Sequence, residues 1–176
     1  MTPPAADDVP DVDDEVWDSY PLGNVLITNL LTFIVVGVAY VGMQPMADGL
    51  VADVYLAVFI FDYLVLAPIL RCRRCSYFGS RCSSGRGWLA SKFFSPKTGD
   101  HGSGDMLAAL HWTVWFQVFP AFALLYLVVD EFSDRRAAFM ATFLLLQFAW
   151  SRARLQLSCL HCRERESCPI SPYTEL

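Results

Sequence analysis

All six cysteines of the chain fall into two triplets, Cys72, Cys75 and Cys82, then Cys159, Cys162 and Cys168. The first is spaced C-x2-C-x6-C and the second C-x2-C-x5-C, with 87 positions from Cys72 to Cys159 and again from Cys75 to Cys162. Such a recurrence marks an internal repeat rather than scattered thiols. A C-x2-C turn brings two thiolates onto one ion, and soft thiolate ligands select zinc or an iron–sulfur centre. A structural zinc takes four ligands, so either triplet alone is incomplete. Joined, six thiolates suffice for two zinc ions with two sulfurs bridging. His161, between Cys159 and Cys162, is the additional candidate ligand, and an iron–sulfur cluster that supplies its own sulfides is the alternative cofactor.

The two triplets together resemble, in spacing only, the paired cysteine motifs of the fungal binuclear zinc-cluster domains. That resemblance implies shared coordination by two half-sites. It implies no DNA binding, because 76 residues separate Cys82 from Cys159 here, and the second triplet is one residue shorter. A second chemistry starts from Arg71, Arg73 and Arg74 around Cys72 and Cys75, since adjacent cations stabilise the nucleophilic thiolate. In size and C-x-x-C content the chain is also similar to four-helix membrane oxidoreductases of the vitamin K epoxide reductase and DsbB type. This resemblance implies thiol redox work as an alternative. The third cysteine in each triplet suits coordination better than exchange.

The elements that must position these thiols are apolar. Hydrophobic residues make up 55% of the 176, high for a water-soluble domain. The excess lies in stretches 21–43, 50–70, 106–129 and 137–157, and about 20 residues of helix cross a hydrocarbon core. The fourth stretch is interrupted by Arg152 and Arg154, which must snorkel along their aliphatic stems for it to span. The sequence therefore predicts an all-α membrane protein with four transmembrane helices, arranged as two repeated helical hairpins with a long cytoplasmic loop between them.

Its segments are an acidic disordered tail (1–20), a first transmembrane hairpin (21–70) and a basic cysteine-containing loop (71–105). A second hairpin (106–157) and a cysteine-containing tail (158–176) follow. Within the loop, Trp88, Leu89, Phe93 and Phe94 surround Lys92 at the spacing of an interfacial helix. Of the 13 basic residues, 11 fall in the loop or at and beyond the end of the fourth stretch. Only Arg135 and Arg136 lie at the opposite end. Basic residues favour cytoplasmic loops, so both termini and both triplets are expected in the cytoplasm, where thiols stay reduced. The first apolar stretch is too long for a cleavable signal and follows an acidic segment.

Polar residues inside apolar stretches mark a second candidate region. Asp62 lies near mid-depth of the second stretch, where a carboxylate must be paired, protonated or watered. His111 and Gln117 sit at neighbouring depth in the third, and Arg152 is the expected counter-ion alongside His111. This network reads either as interhelical glue or as a proton or cation relay.

Nothing in the chain matches a phosphate-binding glycine loop, a nucleophile elbow or an H-E-x-x-H helix, and the basic loop is too sparse for nucleic acid. The expected function is an accessory or sensor module of the cell or inner membrane rather than a self-contained enzyme. Its six-cysteine zinc site would join the hairpins, and its partners would be the lipid bilayer and a larger membrane protein or a second copy of itself. The alternatives are a membrane electron carrier or thiol oxidoreductase, and a heavy-metal transporter.

Overall fold

The computed structural model describes residues 16–97 and 102–165, with side chains in the latter stretch from Met106 onward. Cys168, of the second triplet, lies outside them. The described residues are helical, with no strand among them. In chain order the helices are α1 (Leu22–Met43), α2 (Leu50–Phe61), α3 (Ala67–Leu70), α4 (Arg86–Phe93), α5 (Gly102–Thr113), α6 (Phe119–Asp130) and α7 (Asp134–Arg154). Three helical runs, Leu22–Met43, Met46–Arg74 and Met106–Asp130, are long and apolar enough to cross a membrane. Their outer faces carry Leu26, Leu30, Phe61, Leu110, Phe122 and Val129 exposed, as lipid-facing surfaces do.

α1 has no charged side chain along its length, and it stops where Pro45 cannot continue the ladder. The chain reverses through Met46–Gly49, with Ala47, Asp48 and Gly49 all at positive φ. The next run is helical except for a wider π turn at Asp62–Leu66, and the third has the same turn at Val114–Val118. Pro68 follows the first turn and Pro120 the second, each two residues beyond its end. A proline lacks the N–H and its ring crowds the carbonyl four residues back, here Leu64 and Phe116, so the wider turn makes room for it. The prolines are thus the sequence signal for both irregularities.

A third π turn, Leu155–Cys159, ends α7. At its start Ser133 caps α7 by accepting from the Arg136 backbone N–H. The Arg136 guanidinium donates back to the Leu127 and Glu131 carbonyls at 3.1 and 2.9 Å, which fixes the tight α6–α7 link.

The core is where α1, α2, α5–α6 and α7 meet, around Val35, Ala39, Met43, Tyr55, Phe59, Phe116, Leu124, Phe143 and Trp150. Gly42 lets α1 approach α6, since a Cβ there would stand 2.7 Å from Leu124 Cδ2. The Trp150 indole N–H donates to Thr32 Oγ1 at 2.9 Å, tying α7 to α1 in a buried position. Replacing Thr32 with Val keeps the volume and strands that N–H. The expected cost is about 1 kcal/mol, read as a lower Tm in detergent.

The sequence expectation is revised at the N-terminal side. Residues 1–15 lie outside the described residues, but Trp17, Asp18 and Tyr20, counted above with the disordered tail, belong to the folded body, and Tyr20 is only 1% exposed. Burying an aromatic ring this fully outweighs the charge around it.

Candidate functional site: a cysteine-lined cavity

At the end of the bundle where the second run closes and α7 unwinds, a cavity of about 430 Å³ opens between the helices and the loop. Cys72, Cys75 and Cys82 line it from one side, and Cys159 and Cys162 from the other. No disulfide joins any of the five to another. Cys75, Cys82 and Cys162 pack on one buried cluster of Tyr20, Val25 and Tyr77, so thiols of both triplets touch the same aromatic surface.

Local folding explains how each thiol arrives. The second run tightens into a 3-10 turn at Cys72–Arg74, which turns Cys72 inward. Cys82 accepts from the Gly87 backbone N–H at 3.3 Å, and its sulfur lies 3.5 Å from Ser84 Oγ. Gly87 is indispensable to that turn, because a Cβ there would sit 2.4 Å from the Tyr77 carbonyl oxygen and 3.0 Å from that of Ser80. The second segment is fastened to the first by Glu164, whose carboxylate accepts from the Ser76 N–H at 3.0 Å. Burial, reinforced by Cys82, Glu164 and Cys72 and offset by a backbone hydrogen bond at Tyr77, pushes the Cys75 thiol up to about 12. The Tyr20 phenol is raised too, by burial first and then by Cys162 and Tyr77.

Among the described residues, no three His, Cys, Asp or Glu side chains stand close enough together to hold a metal ion. The thiols face one space without closing on one point. His161, the additional ligand candidate, does not line the cavity. Its ring stacks on Trp17, centroids 3.9 Å apart and planes within 7°.

The membrane-side half of the cavity is lined by Thr28, Asn29, Thr32, Asp62, Tyr63, Trp112, Gln117 and Trp150. Asp62 is 3% exposed, and its Oδ1 is 3.5 Å from His111 Nε2. The expected Asp62–His111 contact is therefore present, with Gln117 at the same cavity. The expected Arg152 contact is not: Arg152 is exposed on α7, because the helix phase points it outward and turns Arg154, two residues on, to the cavity. The nearby cation is instead Arg86, which faces Asp62 electrostatically. Its guanidinium lies 4.9 Å from the Tyr63 ring and 5.3 Å from the Trp112 ring, and its Nε donates to Ser84 Oγ.

Sequence reasoning missed Arg86, Arg154, Tyr20 and Tyr77. The available signals were slight: a tyrosine just before Pro21, another two residues after Cys75, and an arginine between Gly85 and Gly87. The loop is anchored to the helices by the Tyr63 hydroxyl, which donates to Asn29, and by Asn29 Nδ2, which donates to the Ser84 carbonyl at 3.2 Å.

No protein-family model matches the chain, and neither does any curated protein or solved structure.

Proposed function

We propose that the chain is a small integral membrane protein whose two cysteine segments share one thiophilic metal centre, with zinc as the ion, and that it serves as an accessory or sensor module. The main support is that five cysteines from both segments line one cavity. Arg71, Arg86 and Arg154 line it too, against Asp62 as the one described carboxylate, and that positive wall suits a negatively charged metal–thiolate centre. Closing the thiols onto metal takes an inward movement of the loops, as expected where binding and folding are linked.

In this proposal α7 is the fourth span, completing two hairpins. Leu144, Leu145 and Phe148 lie exposed along its outer face, and the basic residues gathered at the cysteine end support a reading with both termini and the centre in the cytoplasm.

Metal analysis of the detergent-purified chain, with an absorption spectrum, tests the proposal. About two zincs per chain without colour are expected if six thiolates share the ions. Iron with sulfide and a broad absorption near 400 nm would favour the iron–sulfur alternative and an electron-carrying role. A chain that holds no metal and whose thiols cycle between dithiol and disulfide would overturn the metal centre in favour of redox exchange.

A further inference from the structure

The second cysteine segment leaves the bundle at the unwinding end of α7, and something must hold it over the cavity. Residues 16–20 supply several of the described fastenings. The Tyr20 hydroxyl donates to the Ser158 carbonyl at 2.5 Å in a buried position, satisfying one of the carbonyls that a helix end leaves without an intrahelical partner. The Tyr20 backbone N–H donates to the Arg81 carbonyl at 2.8 Å, next to Cys82. One residue thus bridges both triplets.

Trp17 repeats the pattern. Its N–H donates to the His161 carbonyl at 3.2 Å while its indole stacks on the His161 ring. Its own carbonyl accepts from the Tyr77 hydroxyl at 2.8 Å. That hydroxyl also accepts from the Arg163 N–H at 3.1 Å, and the Asp18 carboxylate pairs with the Arg163 guanidinium. Pro21, at φ −56 and ψ 139, keeps the chain extended just before it enters α1, so the strap runs across the cavity end instead of lengthening the helix.

We propose that residues 16–20 are a clasp that positions the Cys159–Cys162 segment against the Cys72–Cys82 loop, with Tyr20 and Tyr77 as the positioning residues that give both sets of thiols one cavity. Its bearing on metal rests on the proposed metal centre; its bearing on thiol exposure does not.

The test uses the full chain in detergent, reduced and stripped of metal, with the N-ethylmaleimide labelling rate of each cysteine read by peptide mass. Tyr20→Phe keeps the ring and removes the hydroxyl. It is expected to speed labelling of Cys159 and Cys162 about tenfold, with Cys72, Cys75 and Cys82 unchanged and the helical content of the wild type retained. Trp17→Ala, a change at the half-buried edge of the Tyr20–Val25–Tyr77 cluster, is expected to speed labelling of Cys159 and Cys162 in the same way. After zinc loading, Tyr20→Phe should lose zinc to a chelator about tenfold faster. Unchanged rates at Cys159 and Cys162 in both variants would overturn the clasp, as would an equal rise at all five cysteines, which reports general loosening. A wild-type chain that takes up no zinc, with the selective labelling change still seen in the two variants, would overturn the metal centre and leave the clasp standing.

Discussion

With the proposed metal centre in place, Cys75→Ser and Cys162→Ser are each expected to release the whole metal complement and to lower the Tm of the purified protein by a similar amount. The two residues are 87 positions apart and sit on different segments, yet both line the one cavity and pack on the same Tyr20–Val25–Tyr77 cluster. In a shared centre the loss of either thiolate leaves the remaining ligands short of a closed shell, and both segments then lose their common anchor. Structural zinc binding supplies about 10–16 kcal/mol in small domains, so in the proposed centre losing even a fraction of it would dominate any packing change from sulfur to oxygen. Zinc content and thermal unfolding, measured side by side for the two variants, decide the matter. If Cys162→Ser kept its metal while Cys75→Ser lost it, the triplets would be separate sites and the joint centre would be wrong.

The second large effect falls on a residue with no side chain. Gly87→Ala places a Cβ 2.4 Å from the Tyr77 carbonyl oxygen and 3.0 Å from the Ser80 carbonyl oxygen, and both obstacles are backbone that cannot rotate away. The turn from Tyr77 to Ser80 must move, and the Gly87 N–H to Cys82 bond moves with it. Overpacking of this kind costs about 1–3 kcal/mol. Here it also displaces Tyr77, on which both segments lean, so Cys75, Cys82 and Cys162 should all label faster than in the wild type. Gly37→Ala is the control: nothing stands within 4 Å of its Cβ, and on the exposed face of α1 it should be neutral or stabilising by about 0.5–1 kcal/mol. Equal behaviour of the two variants would show that the Gly87 contact does not shape the loop.

Much of the helical framework was legible from local chemistry. Apolar runs at 21–43, 50–70 and 106–129 correspond to the membrane-length helices Leu22–Met43, Met46–Arg74 and Met106–Asp130, because length and hydropathy are properties of a single segment. The run at 137–157 corresponds to α7, Asp134–Arg154, which is not among the helices of spanning length and apolarity; charges at both of its ends weaken that signal. Asp62 and His111 were recognisable as partners, since depth along two antiparallel helices can be counted from the sequence.

What spacing could not convey is which side chains turn inward where the helices lose regularity. Arg152 was expected inside, but the phase of α7 presents Arg154 instead. Arg86 shares the cavity with Asp62 because of a loop whose path depends on the Asn29–Tyr63–Ser84 anchors. The burial of Tyr20 was hidden by the acidic composition around it, which describes the average of a segment and not the environment of one ring.

By itself, the sequence determined the thiol inventory, the paired triplets, the apolar helices and the polar residues inside them, since each depends on residue type and short-range period. Tertiary structure alone decided that thiols from both triplets border one cavity, that arginines wall it, and that Trp17 and Tyr20 fasten its second half. Those juxtapositions join residues up to 145 positions apart. They follow from the packing of α1 beside α7 and from the route of the loop, and no local pattern encodes either.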